Sequence, residues 1–311
     1  MYYKSNNLYW NVYKSLEREL LALAEIIHID DGQLDVYLIK IADLLIRTSV
    51  EIESISKELY FREGGTKPDD KDLYFDTDCL ALLELKWSLS KKVVMISSPI
   101  FYLKEDDNIY LTPLHKAYKR GSSSSDWQKA YQAVKHNRAK SINKGNIKHF
   151  IRSLAALYLL NVYYNDYVYY LGKDSKVISF DANLGSSIFS VDIHPFQGLE
   201  SDGTYCKLYD YDRYTYLVQP TIETKPILEE VLNKVRIEIL EPAKAQTKEV
   251  VMNDVTQIID LPQEDINAKI KDTFTNVKRR MYSQLSVEDR IKHKQASDSV
   301  KYEMVLNINQ Y

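Results

Sequence analysis

The chain has 311 residues, enough for one large domain or two ordinary ones. Its 45% hydrophobic and 27% charged content excludes a disordered, fibrous or membrane-embedded protein. Two distant cysteines, Cys79 and Cys206, exclude a disulfide scaffold and a local metal or redox motif, and they fit a reducing compartment.

Met1 to Asn7 carries no apolar signal-peptide core and no run reaches the length of a membrane span, so a cytoplasmic protein without a membrane partner is expected. Leu8, Val12, Leu16, Leu20, Leu23 and Ile27 recur at spacings of three and four, which predicts an amphipathic helix closed by the turn Asp30-Asp31-Gly32. A second helix from Leu34 carries Leu38, Ile41, Leu45, Ile52, Ile55 and Leu59 and stops before an exposed loop over Gly64 to Lys71. Thr77 or Asp78 can cap a third helix containing Leu80, Leu83 and Trp87. Val93 to Ile96 is β-prone and is ended by Ser97-Ser98-Pro99. The serine loop Gly121 to Ser125 ends in a helix cap, and Asp126 to Arg138 or Ala139 reads as one helix. After a loop around Asn143-Lys144-Gly145, Ile147 to Tyr170 is apolar almost all round, the pattern of a central bundle helix.

Beyond Gly172 the pattern changes. Lys176 to Phe180, Ser187 to Val191 and Tyr205 to Val218 read as short strands between Gly and Asp turns. Pro226 to Leu240 and Glu264 to Arg280 read as charged amphipathic helices, and Val300 to Ile308 alternates partly, like an edge strand. The expected architecture is mostly α, with an N-terminal antiparallel helical bundle over residues 1–172 and a smaller mixed α/β region over 173–311.

The net charge of −3 is unevenly spread. From His115 to Arg152 there are ten Lys or Arg and one acid, Asp126, so this stretch carries +9 and the remainder −12. Such asymmetry points to an anionic partner, or to a basic face balanced by acidic neighbours within the fold or across a subunit interface. Tyrosine is abundant, 25 against 8 Phe, and eleven lie between Tyr158 and Tyr216. A rigid ring with a polar tip suits base stacking or a half-wet core.

No Walker loop, dinucleotide-binding glycine fingerprint, nucleophile elbow or zinc-ligand spacing occurs, and the six histidines are scattered. The acid clusters Asp69-Asp70 and Glu105-Asp106-Asp107 read as solvated turns, so neither metal nor cofactor is expected. One stretch stands apart: Trp127-Gln128-Lys129-Ala130-Tyr131 through Lys135-His136-Asn137-Arg138, followed by Ser153-Leu154-Ala155-Ala156-Leu157-Tyr158-Leu159-Leu160. With Ile41 to Glu53 as the matching upstream helix, it resembles the last helices of HEPN-type bundles of prokaryotic defence and toxin systems, over about residues 8 to 170. The resemblance implies a metal-independent endoribonuclease acting as a homodimer, with an Arg, a polar residue and a His at its site. It puts His136, Asn137, Arg138 and His149 forward as catalytic, and Lys129, Lys135, Lys140, Lys144, Lys148 and Arg152 as RNA contacts. In such bundles His follows Arg by five to seven positions; here His149 lies eleven after Arg138, and His136-Asn137-Arg138 runs in the opposite order. Non-catalytic members of such bundles also exist, so an interaction or dimerisation protein with a structural Lys-His-Asn-Arg segment stays open.

On a continuous helix, Trp127, Tyr131, Val134 and Arg138 share an inward stripe within about 60°, and His136 points about 160° from Arg138. The two converge only if the helix breaks near Lys135 or across a dimer. An inward Arg138 needs a carboxylate, for which Asp43, Glu51 and Glu53 are candidates. His149 and Arg152, at i and i+3 near a helix N-terminus, form a second pairing suited to phosphate. For RNA cleavage, His136 or His149 would serve as base on a 2′-hydroxyl or as acid on the leaving 5′-oxygen, with an Arg stabilising developing charge. The bland alternative for His149 is a solvated surface residue.

Overall fold

A computed structural model of the chain describes residues 7–68, 72–199, 204–254 and 261–311. Met1 to Asn6 and the Asp69-Asp70 pair lie outside the described residues. The protein is mostly α-helical, and its described residues include two small sheets formed largely by the C-terminal half.

Helix α1 (Leu8–Ala24) starts at Asn7, whose side chain accepts from the Trp10 amide at 3.1 Å, and it buries Tyr13, Leu16, Leu20 and Leu23 on one stripe. Helix α2 (Ile39–Arg62) begins five residues later than the apolar spacing predicts. The Leu34 and Val36 carbonyls instead accept from the Lys148 and Ile147 amides, at 2.9 and 3.0 Å, so this segment caps another helix rather than extending its own. A π-helical turn, Phe75–Leu80, leads into α3 (Ala81–Trp87). The short turn α4 (Asp106–Ile109) follows, and then α5 (Asp126–His136), α6 (Arg138–Ser141) and α7 (Ile147–Asn165). Helix α7 packs against α1, α2 and α5, and from Ser153 to Tyr163 every residue is buried. It is the central helix that its apolar composition predicts.

Strands β1 (Val94–Ile96), β2 (Tyr110–Leu111) and β4 (Phe189–Val191) form an antiparallel sheet in the order β2-β1-β4. The second sheet, ordered β3-β7-β6-β5, contains β3 (Tyr169–Gly172), β5 (Ile193–His194), β6 (Tyr216–Pro220) and β7 (Tyr302–Leu306), with β5 and β6 parallel. The expected edge strand at the C-terminal end is thus an interior one: β7 pairs with β3 on one side and β6 on the other. No strand forms over Lys176 to Phe180, because the Asp174 carboxylate takes the Lys176 and Ile178 amides at 3.0 and 2.9 Å and folds the segment into a turn. Of the stretch Tyr205 to Val218, only the end is a strand.

The β1–β4 pairing joins residues on either side of position 172, and one buried cluster runs from Tyr9 to Leu306. Tyrosine hydroxyls add polar ties: Tyr163 donates to the Asn307 carbonyl and Tyr158 to the Asn183 carbonyl, each at 2.9 Å, from fully buried rings. Glu17, 1% exposed, accepts from Tyr13, Ser186 and the Ser187 amide at 2.6–2.8 Å and from Lys14, so one carboxylate fastens α1 to the start of β4.

Between β6 and β7 the chain leaves the sheet and builds α8 (Lys225–Val235), a π-helical turn at Arg236–Leu240, α9 (Glu241–Asn253), α10 (Gln263–Gln284) and α11 (Val287–Ser299). These helices pack mainly on one another, α9 with α10 and α8 with α11. Thr221 and Lys301 close the excursion with a 2.9 Å backbone hydrogen bond.

Candidate functional site

The basic segment is built on α5. Ser125 and Gln128 form a reciprocal capping box at its start, so the amides of these two residues are already taken. Trp127 is buried and its indole N–H donates to the Pro113 carbonyl at 2.9 Å; the Gln128 amide donates to the Ala117 carbonyl at 2.9 Å. These two bonds hold the loop carrying His115 and Lys116 against the first turn of α5. Farther along, Ala130 and Tyr131 pack on Leu45 of α2.

At its other end α5 stops at His136, so the single helix expected to run to Arg138 or Ala139 is divided. Asn137 adopts φ −149° and ψ 71°, leaves the helix, and accepts the Lys140 amide at 3.3 Å as the cap of α6. This break also removes Arg138 from the inward stripe. Arg138 is exposed and bonds Asp43 of α2 at 2.8 Å, one of the three carboxylates its sequence position suggests. His136 and Asn137 are exposed beside it.

His149 and Arg152 occupy the first turns of α7. The expected phosphate site at this N-terminus has no free backbone amides, because those of Ile147, Lys148 and His149 bond the Val36 carbonyl, the Leu34 carbonyl and the Asn146 side chain. His149 is partly buried, and its Nδ1 lies 2.8 Å from the Lys144 carbonyl. A carbonyl only accepts, so Nδ1 carries the proton and Nε2 keeps its lone pair. Burial holds the imidazole pKa below its usual value, with Arg152 and Lys148 adding to the shift and the Lys144 carbonyl and Asp126 opposing it. Burial thus favours the neutral form of the ring. Arg152 forms an ion pair with Asp126, tying the first turns of α5 and α7 together.

Helix α5 places His136 about 15 Å along its axis from Asp126, the partner of Arg152. The residues expected to be catalytic thus fall in two groups, His136, Asn137 and Arg138 at one end of α5 and His149 toward the other. Among the expected RNA contacts, Lys129, Lys140 and Lys144 are exposed, Lys148 is half-buried, and none of the four has an ion pair among the described residues. Lys135 bonds the Tyr131 hydroxyl at 3.1 Å, which raises the pKa of the amine.

Lys129 and Arg152 also line a cleft of about 440 Å³ that sequence reading did not single out. Its other walls come from Tyr110 to Lys116 and the serine loop. Lys116 sits at φ 60°, a left-handed conformation that costs a residue other than glycine about 1 kcal/mol. The only hint in the sequence was the run of positive charge, since the cleft assembles from three separated segments.

Among the described residues no helix is long and apolar enough to cross a membrane, and no group of three or more His, Cys, Asp or Glu is placed to hold a metal ion. Comparison with protein-family models, curated proteins and solved structures finds no match to this chain.

Proposed function

We propose that the chain is a cytoplasmic, HEPN-like RNA-binding protein of a prokaryotic defence or toxin system, acting as a homodimer and engaging RNA through the α5–α7 face. One observation carries this reading: within the basic segment Arg120, Arg138 and Arg152 each pair with a carboxylate, Asp76, Asp43 and Asp126, whereas Lys129, Lys140, Lys144 and Lys148 have no ion pair among the described residues. Flexible ammonium groups on an open face suit a phosphate backbone better than a single buried charge. For metal-independent cleavage, His149 is the residue with the surroundings of a general base, its neutral form favoured by burial and its tautomer set by the Lys144 carbonyl so that Nε2 is unprotonated.

The Arg138–Asp43 bond favours a second reading, in which the Lys-His-Asn-Arg segment only holds α2 and α6 together and the bundle docks a partner without catalysis.

Both readings meet in one experiment: purified protein with total tRNA and an RNA ladder in EDTA, beside His149→Gln and His136→Ala. Cleavage lost in a folded His149→Gln variant and kept in His136→Ala is the expected result of catalysis at α7. Intact RNA in every lane with binding retained leaves an RNA-binding protein, and no binding at all removes the reading. If four lysines contact a single strand, log Kd changes with log salt at a slope near 3 in magnitude, about 0.7 per contact.

A further inference from the structure

The cleft beside α5 collects chemistry that the extended lysine face does not need. Lys116 enters from the loop, Lys129 from the second turn of α5 and Arg152 from α7, so three cations on three segments border one cavity. Lys116 and Lys129 are exposed and have no ion pair among the described residues. Arg152 gives one guanidinium nitrogen, Nη1, to Asp126, and the rest of its fork has no protein partner among the described residues. His115 and the exposed hydroxyls of Ser122 and Ser123 complete the polar wall. Asp107 is the one other carboxylate of the lining, and the balance of the cleft remains positive. The volume, about 440 Å³, exceeds what an isolated phosphate fills and falls in the range of small-ligand pockets. Two further observations separate the cleft from a chance dent in a basic surface. The backbone at Lys116 is held at φ 60°, and the buried Trp127 and Gln128 side chains bond the Pro113 and Ala117 carbonyls on either side of it, so this wall of the cavity is fastened to α5.

We infer that this cleft receives a terminal phosphomonoester of the RNA whose backbone lies on the lysine face. A phosphomonoester carries close to two negative charges at neutral pH and three terminal acceptor oxygens, matching two free ammonium groups, an Arg fork and hydroxyl donors. An internal phosphodiester has one charge and two free oxygens, so it offers these donors less than a terminal group does. Lys129 belongs both to the cleft and to the lysines assigned to the strand, so the cleft is the place for that strand to end. The inference rests on the RNA reading for the strand, and on the cleft alone for its terminus.

The test measures binding of one eight-nucleotide RNA in three forms, 5′-phosphorylated, 3′-phosphorylated and unphosphorylated, with inorganic phosphate as competitor. One phosphorylated form is expected to bind at least tenfold more tightly than the unphosphorylated strand, and which one gives the polarity. Lys116→Asn, which tolerates the left-handed backbone, and Lys129→Gln are expected to reduce that preference below twofold. Lys140→Gln, outside the cleft, weakens all three forms alike. Equal binding of all three forms overturns the inference and leaves the RNA reading standing. Binding of inorganic phosphate to the protein but not to Lys116→Asn, with no RNA bound, overturns the RNA reading and with it the terminus, leaving a site for free phosphate. Absence of both kinds of binding overturns both.

Discussion

Helices α7 and α10 are of similar length, 19 and 22 residues, yet they live in opposite surroundings. In α7 every side chain from Ser153 to Tyr163 is buried, and even Ser153 and Asn161 spend their polar atoms on backbone carbonyls one turn back. Among the described residues of α10 only Val277 is fully buried. The first helix is made by the core around it; the second is held by its charged, helix-favouring sequence and by two or three neighbouring helices. Stability is therefore concentrated in the bundle and sheets, and the excursion between β6 and β7 adds surface rather than core.

Changes in the bundle should be felt globally and changes in the excursion should not. The largest effect is expected at Lys92, fully buried with no hydrogen-bond partner for its amine among the described residues. Burial lowers its pKa to about 7, with Asp212 and Glu84 pulling the other way. An unfolded lysine still binds its proton up to about pH 10.4, so between pH 7 and that value the unfolded state holds more protons and the native chain gains stability as pH rises. Lys92→Met should raise stability at pH 7 by about 4 kcal/mol, the gain fading as pH approaches 10, in denaturant titrations at several pH values. No gain would mean that the amine has a partner in solution.

Truncation of the central helix comes next. Leu154→Ala, at a fully buried position, should cost about 3 kcal/mol, whereas Ile291→Ala on exposed α11 should cost below about 0.5 kcal/mol. Similar losses at both positions would break the contrast. Arg138→Ala removes a half-exposed ion pair and should cost about 0.5 kcal/mol, with His136→Ala close to neutral; a double-mutant cycle with Asp43→Ala isolates the pair. The smallest effect on the core is expected from the largest change. Replacing residues 225–299 by a short turn should leave its melting transition within a few degrees, because Thr221 and Lys301 already stand side by side.

The sequence announced this contrast unevenly. The unbroken apolar run from Leu154 to Leu160 identifies the central helix without help, since nothing else explains its lack of a polar face there. Alternation around Met304 and Leu306 reveals the faces of β7 but not its neighbours, which are far away in the chain, and so an interior strand looked like an edge. The same limit applies to the basic segment. Its charge is legible, and so is a carboxylate partner for Arg138, but the helix break depends on one Asn choosing to cap forward rather than continue. The cleft was hidden because Lys116, Lys129 and Arg152 meet only after three segments fold together.

The interior place of β7 also sets the order in which the molecule can form. Its partner β3 leaves the ribosome about 135 residues earlier, and β6 about 85 residues earlier, so both wait with open edges while the helices between them are synthesised. Helix pairs such as α2 and α7 can assemble in that interval, but the four-stranded sheet closes only when its middle strand arrives. Two unpaired edges exposed through so much of synthesis make this sheet, rather than the larger helical bundle, the point at which the nascent chain is open to association with other chains.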